Sequence, residues 1–373
     1  MPGIYVHIPF CRSRCAYCDF FSTTRETEAE KYIHALCREM ISRRDELPRA
    51  HVRTIYIGGG TPSLLSPTLL RRILDTIYAH YDVDEDAEVT MEMNPDDSFD
   101  FAQLREIKRV SLGIQTFDDN LLRLIRRRHD SQTATRAVKT LQATGCDNIS
   151  IDLIYGLPRQ TLEMWEHDLD IAFSLGIQHL SAYALSYEPG TPLTRLRDSG
   201  QIHEADDELS VQMYERLCRR AQEAGFEHYE ISNFALPGYH SRHNSSYWTG
   251  VPYLGFGPGA HSYDGERTRR ANRPDLDAYI DARESVVVEH LSPSDLINEV
   301  IMCGLRTASG LDLDTFAHRF GSPCLDDLLH AAAPHLAAHR LILLQNGENN
   351  HTRLRIDEQA WMVADDIMSD LMT

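Results

Sequence analysis

Positive charge is in short supply. Across 373 residues, 37 Lys and Arg stand against 56 Asp and Glu, a formal net charge of −19. A nucleic-acid binder would show a basic stripe or patch, so this balance argues against one. Long apolar runs are also missing. No window approaches the roughly 20 residues that a bilayer-spanning helix needs. The first residues carry no basic stretch followed by an apolar one, and the sequence therefore predicts no secretory leader. Cys37, Cys146, Cys218, Cys303 and Cys324 stand singly. Isolated cysteines make a poor disulfide framework and suit a reducing cytoplasm. Each reads as a small buried hydrophobe. No internal repeat or low-complexity tract interrupts the chain. What remains is 42% hydrophobic and 25% charged, an ordinary globular balance, and long enough for one large core plus a smaller domain.

The other three cysteines crowd together. Residues 5–21 read Tyr-Val-His-Ile-Pro-Phe-Cys-Arg-Ser-Arg-Cys-Ala-Tyr-Cys-Asp-Phe-Phe, which spaces Cys11, Cys15 and Cys18 as C-x3-C-x2-C after a strand-like run. Three thiolates on one loop can take three corners of an iron–sulfur cube that usually has four protein cysteines. One iron would then stay open to a small molecule. The alternative is a structural zinc site, which wants four closed ligands, with His7 as the fourth. The spacing resembles that of the radical S-adenosylmethionine (SAM) enzymes. In that family the open iron binds the amino and carboxylate groups of SAM. The reduced cluster then cleaves the sulfonium and releases a 5′-deoxyadenosyl radical. The resemblance implies a [4Fe–4S] cluster and SAM as cofactors.

Residues 4–8, 52–57, 87–93, 110–114, 149–154 and 179–185 read as strands. Helical spacing covers 28–46, 67–81, 131–144, 162–175 and 206–224, with Ser66 as a cap for the second of these. A further helical segment after residue 115 carries Arg126, Arg127, Arg128 and His129. Six strand–helix alternations predict an α/β fold with a parallel sheet. Six units rather than eight make a partial (β/α)6 barrel, which matches the radical-SAM core and leaves a lateral opening for a large substrate. Residues 1–235 form this unit, with 229–235 as one more strand. Residues 236–290 read as a long Gly/Pro/Tyr-rich loop and linker, a type that is usually functional. Residues 291–373 read as helices around a hairpin at Asn346-Gly347, a winged-helix-like α+β domain.

Polar residues gather at strand ends, where barrels of this build do their chemistry. Gly58, Gly59 and Gly60 close the second strand. They let the backbone approach a ligand and expose its amides, although a plain turn would use the same residues. Glu92, Gln115, Arg127 and Asp152 lie at or after the ends of later strands. Carboxylates suit an ammonium or ribose hydroxyls, and a guanidinium suits a carboxylate. Any one of them alone could be a solvated surface group; together they converge on one cavity.

The whole chain resembles the oxygen-independent coproporphyrinogen oxidase family. The carriers are Tyr5, the cysteine loop, the Gly58–Ser63 run, Glu92-Met93-Asn94-Pro95, Ser111-Leu112-Gly113-Ile114-Gln115, Arg127-Arg128-His129 and the run from Asp152 to Pro158. The resemblance implies SAM contacts at Tyr5, Gly59, Gly60, Thr61, Glu92, Gln115, Arg127 and Asp152. One departure matters: the oxidases carry a fourth cysteine two positions after the third, and here Phe20 stands there. His243-Asn244-Ser245-Ser246-Tyr247-Trp248 fits the H-N-x-x-Y-W motif of the family's heme-chaperone branch. That branch implies heme as ligand, His243 as its axial imidazole, and His240 and His261 as secondary candidates. It also implies heme-acceptor proteins such as respiratory cytochromes, and flavodoxin or ferredoxin as electron donor. The alternative reading is radical oxidative decarboxylation of coproporphyrinogen III. A third is radical-SAM tailoring of an unrelated substrate.

Overall fold

The computed structural model describes residues 2–47, 51–97, 104–283, 286–345 and 351–372. Six strands, β1 (Gly3–Ile8), β2 (Val52–Gly59), β3 (Val83–Met93), β4 (Arg109–Gln115), β5 (Ile149–Tyr155) and β6 (His179–Ala184), lie side by side in chain order. Every neighbouring pair among them is parallel. Strands covered on both faces read as near-continuous apolar runs. Ile4, Val6, Ile8, Ile55, Ile57, Met91, Leu112 and Ile151 accordingly have no exposed surface. The connecting helices are α1 (Ala29–Ser42), α2 (Pro67–His80), α3 (Asp119–Leu124), α4 (Ser131–Ala143) and α5 (Leu162–Ser174). Ser66 caps α2 as the sequence suggests: its hydroxyl accepts the Leu69 amide, with Pro67 opening the first turn. The fold class is thus a partial (β/α)6 barrel.

Three local readings change. The helix expected to carry Arg126 through His129 ends earlier, at Leu124. Arg126 turns left-handed (φ 60°), and the Arg127 amide reaches back to the Leu122 carbonyl at 2.8 Å, the closure of a Schellman-type helix end. After α6 (Pro192–Asp198) and α7 (Asp207–Glu223), the single strand expected at 229–235 is a hairpin. It pairs β7 (Glu227–Glu230) with β8 (Asn233–Ala235) around Ile231-Ser232, and β8 runs antiparallel to β6. The long loop is also structured. It contains α8 (Arg242–Trp248) and β9 (Tyr253–Phe256), and β9 pairs parallel with β1. β10 (His261–Tyr263), β11 (Thr268–Asn272) and, past α9 (Leu276–Ile280), β12 (Val286–His290) extend the sheet antiparallel to twelve strands. A seven-residue helix and strands of three to five residues are too short to show a period.

The C-terminal unit is α10 (Pro293–Leu305), β13 (Leu311–Asp312), α11 (Leu313–Phe320), α12 (Ser322–Ala337), β14 (Leu341–Gln345), β15 (Thr352–Ile356) and α13 (Ala364–Leu371). Its antiparallel sheet runs β13-β15-β14, an arrangement of winged-helix type. The Asn346-Gly347 turn lies outside the described residues. A capping box between Ser292 and Asp295 starts α10. The unit docks on the β7–β8 hairpin: the Ile231 amide donates to the Arg306 carbonyl, and the Ala308 amide to the Tyr229 carbonyl. Among the described residues no helix is long and apolar enough to cross a membrane.

Candidate functional site

A cavity of about 480 Å³ opens at the carboxyl ends of the parallel strands, with Cys11, Cys15 and Cys18 along one wall. The cysteine loop leaves β1 at Pro9 and is closed at its base by Thr23, whose amide donates to the Pro9 carbonyl and whose carbonyl accepts the Cys11 amide. Its middle is pinned by Ala16, which bonds the Ile125 carbonyl and the Leu193 amide. The end of β2 passes close beneath. A Cβ at Gly60 would stand 2.6 Å from the Phe10 carbonyl and 3.0 Å from the Cys11 sulfur. Gly59 sits at φ 107°, in the left-handed half of the map that glycine tolerates, and its amide donates to Glu92 Oε2 at 2.9 Å.

These sulfurs fit an iron–sulfur cluster better than closed zinc. None of the eight cysteines is in a disulfide. Arg127 Nη1 points at the Cys15 sulfur (3.3 Å) and Thr61 Oγ1 at the Cys11 sulfur (3.6 Å), donors of the kind that tune cluster sulfurs. Burial raises the Cys11 thiol and pushes Cys18 up to about 11; metal ligation would remove those protons outright. His7, the candidate fourth zinc ligand, is 3% exposed. Its Nε2 meets the Phe21 carbonyl at 2.8 Å and its Nδ1 meets Tyr5 Oη at 3.1 Å. Both nitrogens are therefore occupied. Phe20, where a fourth cysteine would stand, lines the cavity and is 63% exposed.

Thr61, Glu92, Gln115, Arg127 and Asp152 line the same cavity with Gly59 and Gly60. Glu92 accepts from Tyr56 Oη at 2.8 Å and from Gly59, and burial pushes its carboxyl up to about 7. Burial also raises Asp152, which accepts from Ser111 Oγ at 3.2 Å. Gln115 adopts φ 72° at a register shift between β4 and β5. Arg127, swung in by the Arg126 turn, donates to Asn94 Oδ1 at 2.6 Å and to the Gly113 carbonyl. Its Nε has no partner among the described residues.

Sequence reasoning missed Arg109, Tyr56 and Asn94, which also line this cavity. Arg109 is 1% exposed, its Nε without a partner among the described residues, and its charge offsets part of the rise that burial imposes on Glu92 and Asp152. The one available signal was a charge at the head of an apolar strand. Asn94 ties Arg127 to Thr61 Oγ1 (2.9 Å).

Two expected site residues stand behind the walls. Tyr5 is stacked on Tyr56 with ring centroids 6.1 Å apart. His243 is 1% exposed on α8. Its Nδ1 pairs with Thr54 Oγ1 (2.8 Å), its Nε2 with Tyr247 Oη (2.9 Å), and its amide with Glu88 (3.1 Å). Burial holds the ring near a pKa of about 3. In this conformation no ring nitrogen is free for a metal. Its motif neighbours Asn244, Tyr247 and Trp248 face a second cavity, of about 730 Å³, between the barrel and the C-terminal unit. Of the secondary candidates, His240 pairs with Glu227 and His261 lies exposed at the start of β10.

Partial barrel and three-cysteine wall together define a radical SAM protein. The Radical SAM superfamily profile matches residues 5–172, and the HemN C-terminal domain profile matches residues 291–363. "Heme chaperone HemW" of Bacillus subtilis (strain 168) is 36% identical over 353 residues, covering 92% of this chain and 93% of that protein. The HemW of Synechocystis is 37% identical over 325 residues, with 82% and 78% covered. The chain belongs to the HemW family of heme chaperones. Among solved structures, coproporphyrinogen III oxidase (HemN) from Escherichia coli, a radical SAM enzyme, superposes with a TM-score of 0.82 at 22% identity, covering all of this chain and 90% of that one. At that identity the likeness speaks for the fold alone.

Proposed function

We propose that this chain is itself a heme chaperone, one that binds heme beside a [4Fe–4S]–SAM site and passes it to acceptor proteins. Membership of the family supports the reading. The observation that carries it is Phe20, an exposed apolar ring at the cavity mouth in the position where the decarboxylating branch has a cysteine. Cys11, Cys15 and Cys18 would hold the cluster. When bound, cluster and SAM supply one-electron chemistry. Arg127 would offer its guanidinium charge to the SAM carboxylate, Glu92 would take the ammonium, and Asp152 and Gln115 the ribose hydroxyls. The Gly59 and Gly60 backbone admits the ligand closely, and Thr61 steadies Cys11. Tyr5 would act from behind, by setting the Tyr56 ring. His243 would serve as axial ligand only after giving up Thr54 or Tyr247. Acceptors such as respiratory cytochromes, a flavodoxin or ferredoxin donor, and a cytoplasmic setting complete the reading.

The test is anaerobic. The cluster-loaded chain should take up heme, with a Soret band, and yield it to an apo-acceptor. It should not turn over coproporphyrinogen III with SAM and reductant. Robust conversion of that substrate would overturn the chaperone reading in favour of the dehydrogenase.

A further inference from the structure

We propose that heme seats in the cavity between the barrel and the C-terminal unit, with its two propionates on Arg269, Arg306 and Arg319. This rests on the chaperone reading above. The cavity, at about 730 Å³, lies within the ~300–1,000 Å³ typical of cofactor sites. One part of its wall is aromatic, with Tyr247, Trp248, Tyr253 and Phe316; Tyr247 and Tyr253 meet edge to face with centroids 4.8 Å apart, and such rings suit the face and edge of a porphyrin. The other part is cationic. Arg306 lies 6.0 Å from the Trp248 ring centroid, Arg269 5.9 Å from that of Tyr263, and Arg319 5.1 Å from that of Phe320. Each guanidinium is thus held beside an aromatic plane.

Their present partners are replaceable. Arg306 pairs with Asp365, which is 75% exposed, and Arg269 pairs with Glu299 at 2.8 Å. A solvent-facing pair such as Arg306–Asp365 contributes about 1 kcal/mol or less, so a ligand carboxylate can compete for that arginine. Arg319 has no ion pair among the described residues; Tyr263 is its hydrogen-bond partner. Three acids share the lining: Glu230, pushed up to about 7 by burial, repels an anion less than an ordinary carboxylate would, Glu299 is tied to Arg269, and Asp312 is paired with His351 and Arg353. Tyr183 and Asn244 line this cavity and the cysteine cavity alike, so a ligand seated here abuts the SAM pocket.

The experiment is a Soret titration of the full, cluster-loaded chain with heme and with heme dimethyl ester. The native chain should prefer heme by roughly tenfold or more, the size of a charge-assisted contact. R306Q/R319Q should cut that preference sharply and weaken heme, with cluster absorbance and SAM affinity unchanged. V300W, which fills the cavity and keeps all three arginines, should weaken heme and ester alike. If the native chain shows no Soret change with heme, the chaperone reading itself fails. If it binds heme and both variants bind as tightly as the native chain, the seat lies elsewhere and only this proposal is overturned.

Discussion

The strand-end cavity and helix α8 carry the two plainest motifs of the sequence, and they use their polar atoms in opposite ways. At the cavity, bonding capacity is left unused among the described residues. Among the described residues three sulfurs converge with no fourth cysteine beside them and the buried Nε atoms of Arg109 and Arg127 lack partners, while Gln115 and Arg126 hold left-handed backbone to aim the walls inward. Sparsely populated backbone of this kind persists where the surroundings enforce it, commonly at functional sites. At α8 the capacity is used internally. His243 gives both ring nitrogens and its amide to Thr54, Tyr247 and Glu88. A ligation spacing reveals chemistry, because ligand atoms must be adjacent to share a metal. A single motif histidine reveals only that the ring is needed, not whether it binds or holds.

Substitutions can break that contrast. The largest effect belongs to the cysteines. Cys11→Ser, Cys15→Ser or Cys18→Ser should each abolish cluster absorbance after reconstitution, and retained cluster in all three would remove the ligand assignment. Next is His243→Ala, which leaves Thr54 and Tyr247 unpaired in a buried site. It should cost about 2–4 kcal/mol in urea denaturation. A loss under about 0.5 kcal/mol would mean that the ring is not structural.

The two regions should also answer pH in opposite directions. His243 is held near 3 by burial, so the unfolded chain takes up its proton first, and its contribution is lost as pH falls from about 6.5 toward 3. Glu92, pushed up to about 7, is ionised more readily in the unfolded chain, and stability is lost as pH rises from 4.5 through 7. Glu92→Gln should flatten the upper limb of the stability profile of the cluster-free protein by about 1–3 kcal/mol. An unchanged profile would show that Glu92 titrates normally.

The smallest effect is Phe20→Ala. A ring 63% exposed should contribute less than about 0.5 kcal/mol to folding, and a larger thermal shift would mean that Phe20 packs against something.

The sequence made the six-stranded core legible because its strands are rich in buried apolar residues such as Ile149, Ile151, Leu153 and Ile154, with polar residues near their ends. The cysteine loop was legible from spacing alone. The β9–β12 extension was not: its strands are short, and β9 finds its parallel partner in β1, some 250 positions earlier in the chain. The left-handed turn at Arg126 carries no glycine to announce it, so Arg127 read as a helix residue. Arg109 drew no reading because nothing local reveals that Glu92 and Asp152 lie close enough to feel its charge.

The central claim is that three cysteines leave one iron open for SAM. The most direct measurement is electron paramagnetic resonance of the reduced, reconstituted cluster before and after SAM is added. Coordination at an open iron should shift the g values of the signal. An identical spectrum at saturating SAM, or a preparation without iron and sulfide, would contradict it.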